Sequence, residues 1–90
     1  MKVYKLKHKP TGLFYTPSRG SGNLSKTGKL YTTIPSIKWA DMLRIKIHSF
    51  NKEPKGHHKI IVDYFNLDWN NGWIDQRVQT KPQHWEIVEL

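Results

Sequence analysis

The sequence predicts an α+β fold: one small basic domain, residues 1–90, made mainly of antiparallel β-sheet with one short helix. Three observations carry this expectation. Apolar residues alternate with a period of two in several short runs, which suits strands with one buried face. Gly, Pro and Asn separate these runs at short intervals, as turns do between antiparallel strands. Only the segment after Pro35-Ser36 carries the signs of a helix start. Four Trp, four Tyr and three Phe supply the core, since each aromatic can bury roughly 150–250 Å².

In order along the chain, residues 2–9 place Tyr4, Leu6 and His8 on one side and Val3, Lys5, Lys7 and Lys9 on the other, a half-buried strand with a lysine row. Pro10-Thr11-Gly12 turns the chain, and Leu13-Phe14-Tyr15-Thr16 returns as the second strand of a hairpin. The stretch from Pro17 to Gly28, with Gly20, Gly22 and Gly28, reads as a long loop, and long loops in compact domains are often functional. Lys29–Ile34 reads as a strand, and Ser36 is placed to cap a few helical turns over Ile37–Leu43. Leu43, Ile45 and Ile47 alternate with Arg44, Lys46 and His48; a continuing helix is the alternative there, but isoleucines at a period of two favour a strand. Asn51–Gly56 is a polar loop leading to a buried strand at Ile60–Phe65, expected to pair with the previous one. Asn70-Asn71-Gly72 marks a tight turn between Trp69 and Trp73, and His84–Leu90 alternates as a last strand.

Charge is spread unevenly. Residues 1–59 hold thirteen Lys and Arg against Asp41 and Glu53, whereas residues 60–90 hold Arg77 and Lys81 against Asp63, Asp68, Asp75, Glu86 and Glu89. No acid precedes Asp41. Such asymmetry points to a polyanionic partner for the basic part, the plain alternative being a lysine-rich solvated surface. The candidate nucleic-acid surface is Lys5, Lys7, Lys9, Arg19, Lys26, Lys29, Lys38, Arg44 and Lys46, with Tyr15 and Tyr31 as aromatic platforms for unpaired bases; for each aromatic the competing role is core packing. The acidic end, with Asp63, Asp68, Asp75, Trp69 and Trp73, is a candidate protein contact.

Cysteine is absent, which removes disulfides, thiolate metal sites and thiol nucleophiles. The first residues build no apolar secretion signal and no run approaches the roughly 20 apolar residues of a membrane span. A soluble cytoplasmic protein without cofactor or membrane partner is expected.

Gly20 through Thr27 falls one residue short of the nucleotide-binding pattern G-x-x-x-x-G-K-[ST], with Ser25 where glycine belongs. A P-loop follows a buried strand and opens a helix; here Thr16-Pro17-Ser18-Arg19 precedes and a strand-like segment follows. Context therefore argues against an ATPase, and the loop from Gly20 to Gly28, which offers hydroxyls, amides and two nearby cations, is read as a clamp for backbone phosphate or as a flexible connection. Adjacent His57 and His58 on a strand point to opposite faces, with no metal-ligand spacing to support them. A metal-independent ribonuclease would need two histidines from His8, His48, His57 and His58 beside Lys46 or Arg44; no spacing requires this, and no enzyme is expected.

The segment KHKPTGLFYTPSRGSGNLSKTGKLYTTIPS and the ending HWEIVEL resemble small early accessory proteins of T-even-like bacteriophages, which share a K-H-x-P-T-G-L start, an N-L-S-K-x-G-K-x-Y segment and a W-E-I-V-E close. The resemblance covers the first third and the last seven residues and carries no catalytic motif. It implies a phage product in the cytoplasm of the infected bacterium, acting on host transcription, RNA or a defence system. In size and charge the chain is similar to the ToxN-inhibitory factor type, which implies RNA binding and a toxin ribonuclease as partner. The alternative to nucleic-acid binding is a protein-only inhibitor whose basic face meets an acidic host enzyme.

Overall fold

The computed structural model describes residues 2–18 and 21–90. Its α+β fold is a six-stranded, mostly antiparallel sheet with one α-helix. The strands are β1 (Tyr4–His8), β2 (Leu13–Ser18), β3 (Ser21–Ser25), β4 (Met42–His48), β5 (Trp73–Gln79) and β6 (Trp85–Glu89), and the helix is α1 (His57–Phe65). Their order across the sheet is β5-β4-β3-β2-β1-β6.

β1 follows its predicted alternation, with Leu6 and His8 fully buried. Gly12, at φ 73°, turns the chain into β2, its N–H bonding to the His8 carbonyl at 2.8 Å. The long loop expected from Pro17 is instead the second half of a hairpin. β2 runs on through Ser18 and pairs with β3 from Phe14↔Ser25 to Ser18↔Ser21. Gly22 permits this pairing, because any Cβ there would enter the Tyr15 ring. Leu24 then joins the core.

β3 pairs with β4 in parallel through Gly22↔Leu43, which requires a crossover, here residues 26–41. No strand forms at Lys29–Ile34. β1 and β2 pair only at Lys7↔Phe14 and His8↔Leu13 and then diverge. The crossover enters the gap, bonding Lys29 N–H to the Tyr15 carbonyl and bridging Tyr31 to Tyr4. The helix expected over Ile37–Leu43 is a single 3-10 turn, Ile37–Ala40, with no side-chain cap from Ser36. The period-two run after it is β4, as favoured, with Leu43, Ile45 and Ile47 buried.

The strand expected at Ile60–Phe65 is the helix α1, and β4 pairs with β5 instead. Within α1, Ile61 and Val62 are buried, with Phe65 one turn beyond Ile61 packed against the core, and Lys59 meets Asp63 at 3.5 Å in an i,i+4 ion pair. Asn66, at φ 54°, closes the helix in the left-handed conformation, and Leu67 N–H returns to the Val62 carbonyl. Burial of the 3.6-period face outweighs the β preference of Ile-Ile-Val.

Gln79 and Trp85 end and begin the two edge strands. Six residues of extended chain reach roughly 20–22 Å, whereas five strand spacings across a flat sheet span about 24 Å. The link also contains a 3-10 turn, Pro82–His84, which shortens it further. The sheet is therefore curved, and the curvature is pinned at both ends of the link. Thr80 N–H bonds the Asp41 carbonyl at 2.9 Å, and Lys9 N–H bonds the His84 carbonyl at 2.7 Å. Across it, the Trp85 indole donates to Thr80 Oγ1 at 2.9 Å, while that hydroxyl donates to the Ala40 carbonyl at 2.5 Å. The concave side holds the core and α1. Among the described residues, no helix is long and apolar enough to cross a membrane.

Candidate nucleic-acid interface

Side chains opposite to the core alternation stand on the convex face. The register places Lys5 and Lys7 of β1, Phe14 and Thr16 of β2, Asn23 and Ser25 of β3, and Arg44 and Lys46 of β4 together there. β5 adds Asp75 opposite Lys46 and Arg77 opposite Arg44, and β6 adds Glu86 opposite Lys7. β1 and β4 lie about three strand spacings, roughly 14 Å, apart, and the ground between them is hydroxyl, amide and one aromatic ring.

The cations on this face differ in freedom. Arg44 is held by Asp75 in a bidentate pair, Nε and Nη2 each 2.7 Å from a carboxylate oxygen. That hydrogen bonding, with the charge behind it, raises the Arg44 pKa and holds the Asp75 carboxyl below its ordinary range. Lys5 Nζ lies 4.9 Å from the Phe14 ring centroid, a cation–π contact that spreads the lysine stem along the sheet. Among the described residues, Lys5, Lys7, Lys46 and Arg77 make no ion pair, so their charge is free to meet a ligand.

Of the residues singled out from the sequence, Lys5, Lys7, Arg44 and Lys46 are thus brought to one face. The others are not. Lys9 follows β1 at the Pro10–Gly12 turn. Lys26 lies by the start of α1, close enough that its charge, after burial and His58, helps lower the pKa of His57. Lys29 Nζ sits 5.3 Å from the Tyr31 ring centroid on the crossover, and Lys38 borders a cavity of about 600 Å³ lined by Ile37, Asp41, Thr80, Pro82 and Trp85. Arg19 lies outside the described residues. Tyr15 is no platform for a base: it is 5% exposed in the core, and its hydroxyl donates to the Trp39 carbonyl. Tyr31 is half-buried against Trp39, with ring centroids 5.7 Å apart.

Of the phosphate clamp read at residues 20–28, Gly20 lies outside the described residues and Ser25 is engaged within the fold. Ser25 Oγ bonds Thr16 Oγ1 at 2.7 Å and accepts the Gly28 N–H at 2.8 Å. Its hydroxyl holds the hairpin to the crossover, which explains serine where a P-loop has glycine. Arg77 was missed because β5 has a weak strand signal; its i,i+2 relation to Asp75 opposite a basic strand was the clue.

The histidines do not assemble as a ribonuclease pair from the expected set. His48 lies on the convex face against Trp73, and His57 and His58 share the first turn of α1 with rings 4.3 Å apart, a helical neighbourhood rather than opposite strand faces. Among the described residues no group of three His, Asp or Glu gathers for a metal. His8 meets His84 instead, with ring centroids 6.0 Å apart. His8 Nδ1 bonds Thr11 Oγ1 at 2.9 Å, but its Nε2 is buried without a partner. Burial first, and the His84 charge second, lower its pKa from 6.5 to about 4, so the ring is neutral at pH 7.

The chain matches no protein-family model, no curated protein and no solved structure.

Proposed function

We propose that the protein binds RNA, or another single-stranded nucleic acid, along the convex face of its sheet and carries out no chemistry on it. One observation carries this reading: β1 and β4, distant in sequence, bring Lys5, Lys7 and Lys46 to one sheet face together with Arg77 of β5. Cations on a common face neutralise successive phosphates and release counterions, giving affinity with little sequence preference. Between them Thr16, Asn23 and Ser25 bond within the sheet and place no carboxylate in the path of a phosphate backbone. The resemblance of the two chain ends to T-even-like phage proteins supports setting this activity in the cytoplasm of an infected bacterium, as an accessory factor that counters a host defence such as a toxin ribonuclease.

The test compares two variants of equal net charge. Lys5→Ala/Lys7→Ala/Lys46→Ala/Arg77→Ala removes the face, and Lys26→Ala/Lys29→Ala/Lys38→Ala/Lys81→Ala removes the same charge elsewhere. Binding to labelled single-stranded RNA is titrated across a salt series. The first variant is expected to flatten the salt slope by about 0.7 for each phosphate it no longer neutralises, roughly three in all, and the second to stay near wild type. Equal losses of affinity in both would reduce the effect to overall charge and refute the face.

A further inference from the structure

We propose that the end of the convex face between β4 and the Asn70–Gly72 turn is a stacking site for an unpaired nucleobase. This rests on the nucleic-acid reading above and adds what the phosphate contacts lack, a means to favour single strands. Phe50 is fully exposed and Trp73 is 50% exposed. With His48, Ser49, Asn71 and Gly72 they line a cavity of about 310 Å³. His48 and Trp73 are register partners on β4 and β5, their rings 6.1 Å apart at 70°.

The frame of this slot is fixed. Ser49 N–H bonds the Gly72 carbonyl at 2.8 Å, and Trp73 N–H bonds the Asn70 carbonyl at 3.1 Å. Gly72, at φ 87°, has no room for a Cβ against the Ser49 carbonyl. From behind, the Trp69 indole donates to the Asn51 carbonyl at 3.2 Å and holds the chain that carries Phe50. Two aromatic faces on a rigid support are what base stacking requires. Charge selects the occupant. Lys46 is two residues from His48 on the same face, about 7 Å along the strand; across from it on β5 the Asp75 carboxylate is taken up by Arg44, and Arg77 lies two residues beyond. A strand whose phosphates cross those cations delivers a base to the slot, whereas an apolar peptide has no use for them.

The experiment measures binding of three probes to the 90-residue chain: labelled single-stranded oligoadenylate, an abasic strand with the same number of phosphates, and duplex RNA. Phe50→Ala and Trp73→Leu are compared with wild type; Phe50, being fully exposed, leaves folding intact. Wild type is expected to prefer oligoadenylate over the abasic strand by roughly five- to a hundredfold, and each variant to lose most of that preference at an unchanged salt slope. Equal binding of oligoadenylate and abasic strand by wild type overturns the slot while leaving the phosphate face intact. Absence of binding to every probe overturns both. Binding to anionic phospholipid vesicles that Phe50→Ala abolishes, without any base preference, overturns the slot in favour of membrane insertion.

Discussion

Lowering the pH from 7 to 5 should destabilise the fold through His8. In the unfolded chain its imidazole protonates at the ordinary 6.5, and in the folded protein only near 4. The folded state therefore binds the proton less well, and the stability from a neutral His8 is present above pH 6.5 and lost as pH falls toward 4. Each pH unit in that window removes about 1.4 kcal/mol, or about 2 kcal/mol by pH 5. In a domain of this size that is a fall of roughly 8–16 °C in Tm. The physical basis is the setting of the ring: Trp85 and Phe65 pack against it, Nε2 has no partner, and the titratable groups that face it are His84 and Tyr64. Neither is a carboxylate that could hold an imidazolium. Thermal unfolding followed by circular dichroism at pH 7, 6 and 5, for wild type and His8→Gln, isolates this group because other titrations are common to both. Wild type should lose the additional 8–16 °C of Tm estimated from linkage. His84→Gln should reduce the drop only modestly, because burial is the larger cause. Parallel curves for wild type and His8→Gln would refute the buried neutral ring.

Gly22→Ala drives a methyl group into the Tyr15 ring; overpacking of this kind costs about 1–3 kcal/mol, visible as a lower Tm, and an unchanged Tm would mean that the ring gives way freely. Thr80→Val keeps the shape but leaves the Ala40 carbonyl and Trp85 indole unpartnered in a buried site. The urea midpoint should fall by the equivalent of about 1–3 kcal/mol, with Thr80→Ser near wild type. Asp75→Asn releases Arg44 from its bidentate partner and removes a negative charge from the convex face. RNA binding should tighten at low salt and its salt slope steepen by about 0.7, whereas weaker binding would show that the pair positions Arg44 for contact.

The fold class was legible because alternation survives wherever a strand has one wet face: Leu6 and His8 in β1, then Leu43, Ile45 and Ile47 in β4, are buried in the predicted phase. The Asn70-Asn71-Gly72 turn was legible for a local reason, since Asn71 and Gly72 both take positive φ. Reading failed where tertiary context outweighs local preference. Ser21–Ser25 has little strand propensity, and its pairing depends on a glycine lying under Tyr15. Trp73–Gln79 buries only Ile74 fully and half-buries Val78, as an edge strand can. Residues 60–65 carry β-branched letters on a helical stripe. Four of the nine candidate cations followed from the same logic. Lys5, Lys7, Arg44 and Lys46 lie in strands whose phase was read correctly, whereas Lys26, Lys29 and Lys38 lie on a crossover whose path depends on the gap between β1 and β2.

Sheet order also changes the meaning of the charge asymmetry. A basic first part and an acidic last part would, in a chain folded segment by segment, give two separate poles. Here the last strands flank the first ones: β5 sets Asp75 against Arg44 and Lys46, and β6 sets Glu86 against Lys7, with Glu89 3.5 Å from Lys2. The acids therefore stand at both borders of the sheet, while β1 to β4 between them carry Lys5, Lys7, Arg44 and Lys46 without a carboxylate on the same face. At the β5 border Asp75 is taken up by Arg44 and Arg77 follows it, whereas Glu86 repels a polyanion at the β6 border, so the track runs from β1 across β2, β3 and β4 toward β5. Moving charge across a border is then more informative than removing it. Glu86→Lys widens the track toward β6 and should raise affinity for single-stranded RNA, while Lys7→Glu narrows it and should lower affinity more than Lys7→Ala does. If Glu86→Lys leaves binding unchanged at low salt, where such fields act over tens of ångströms, the nucleic acid does not cross β1 and the proposed track is wrong.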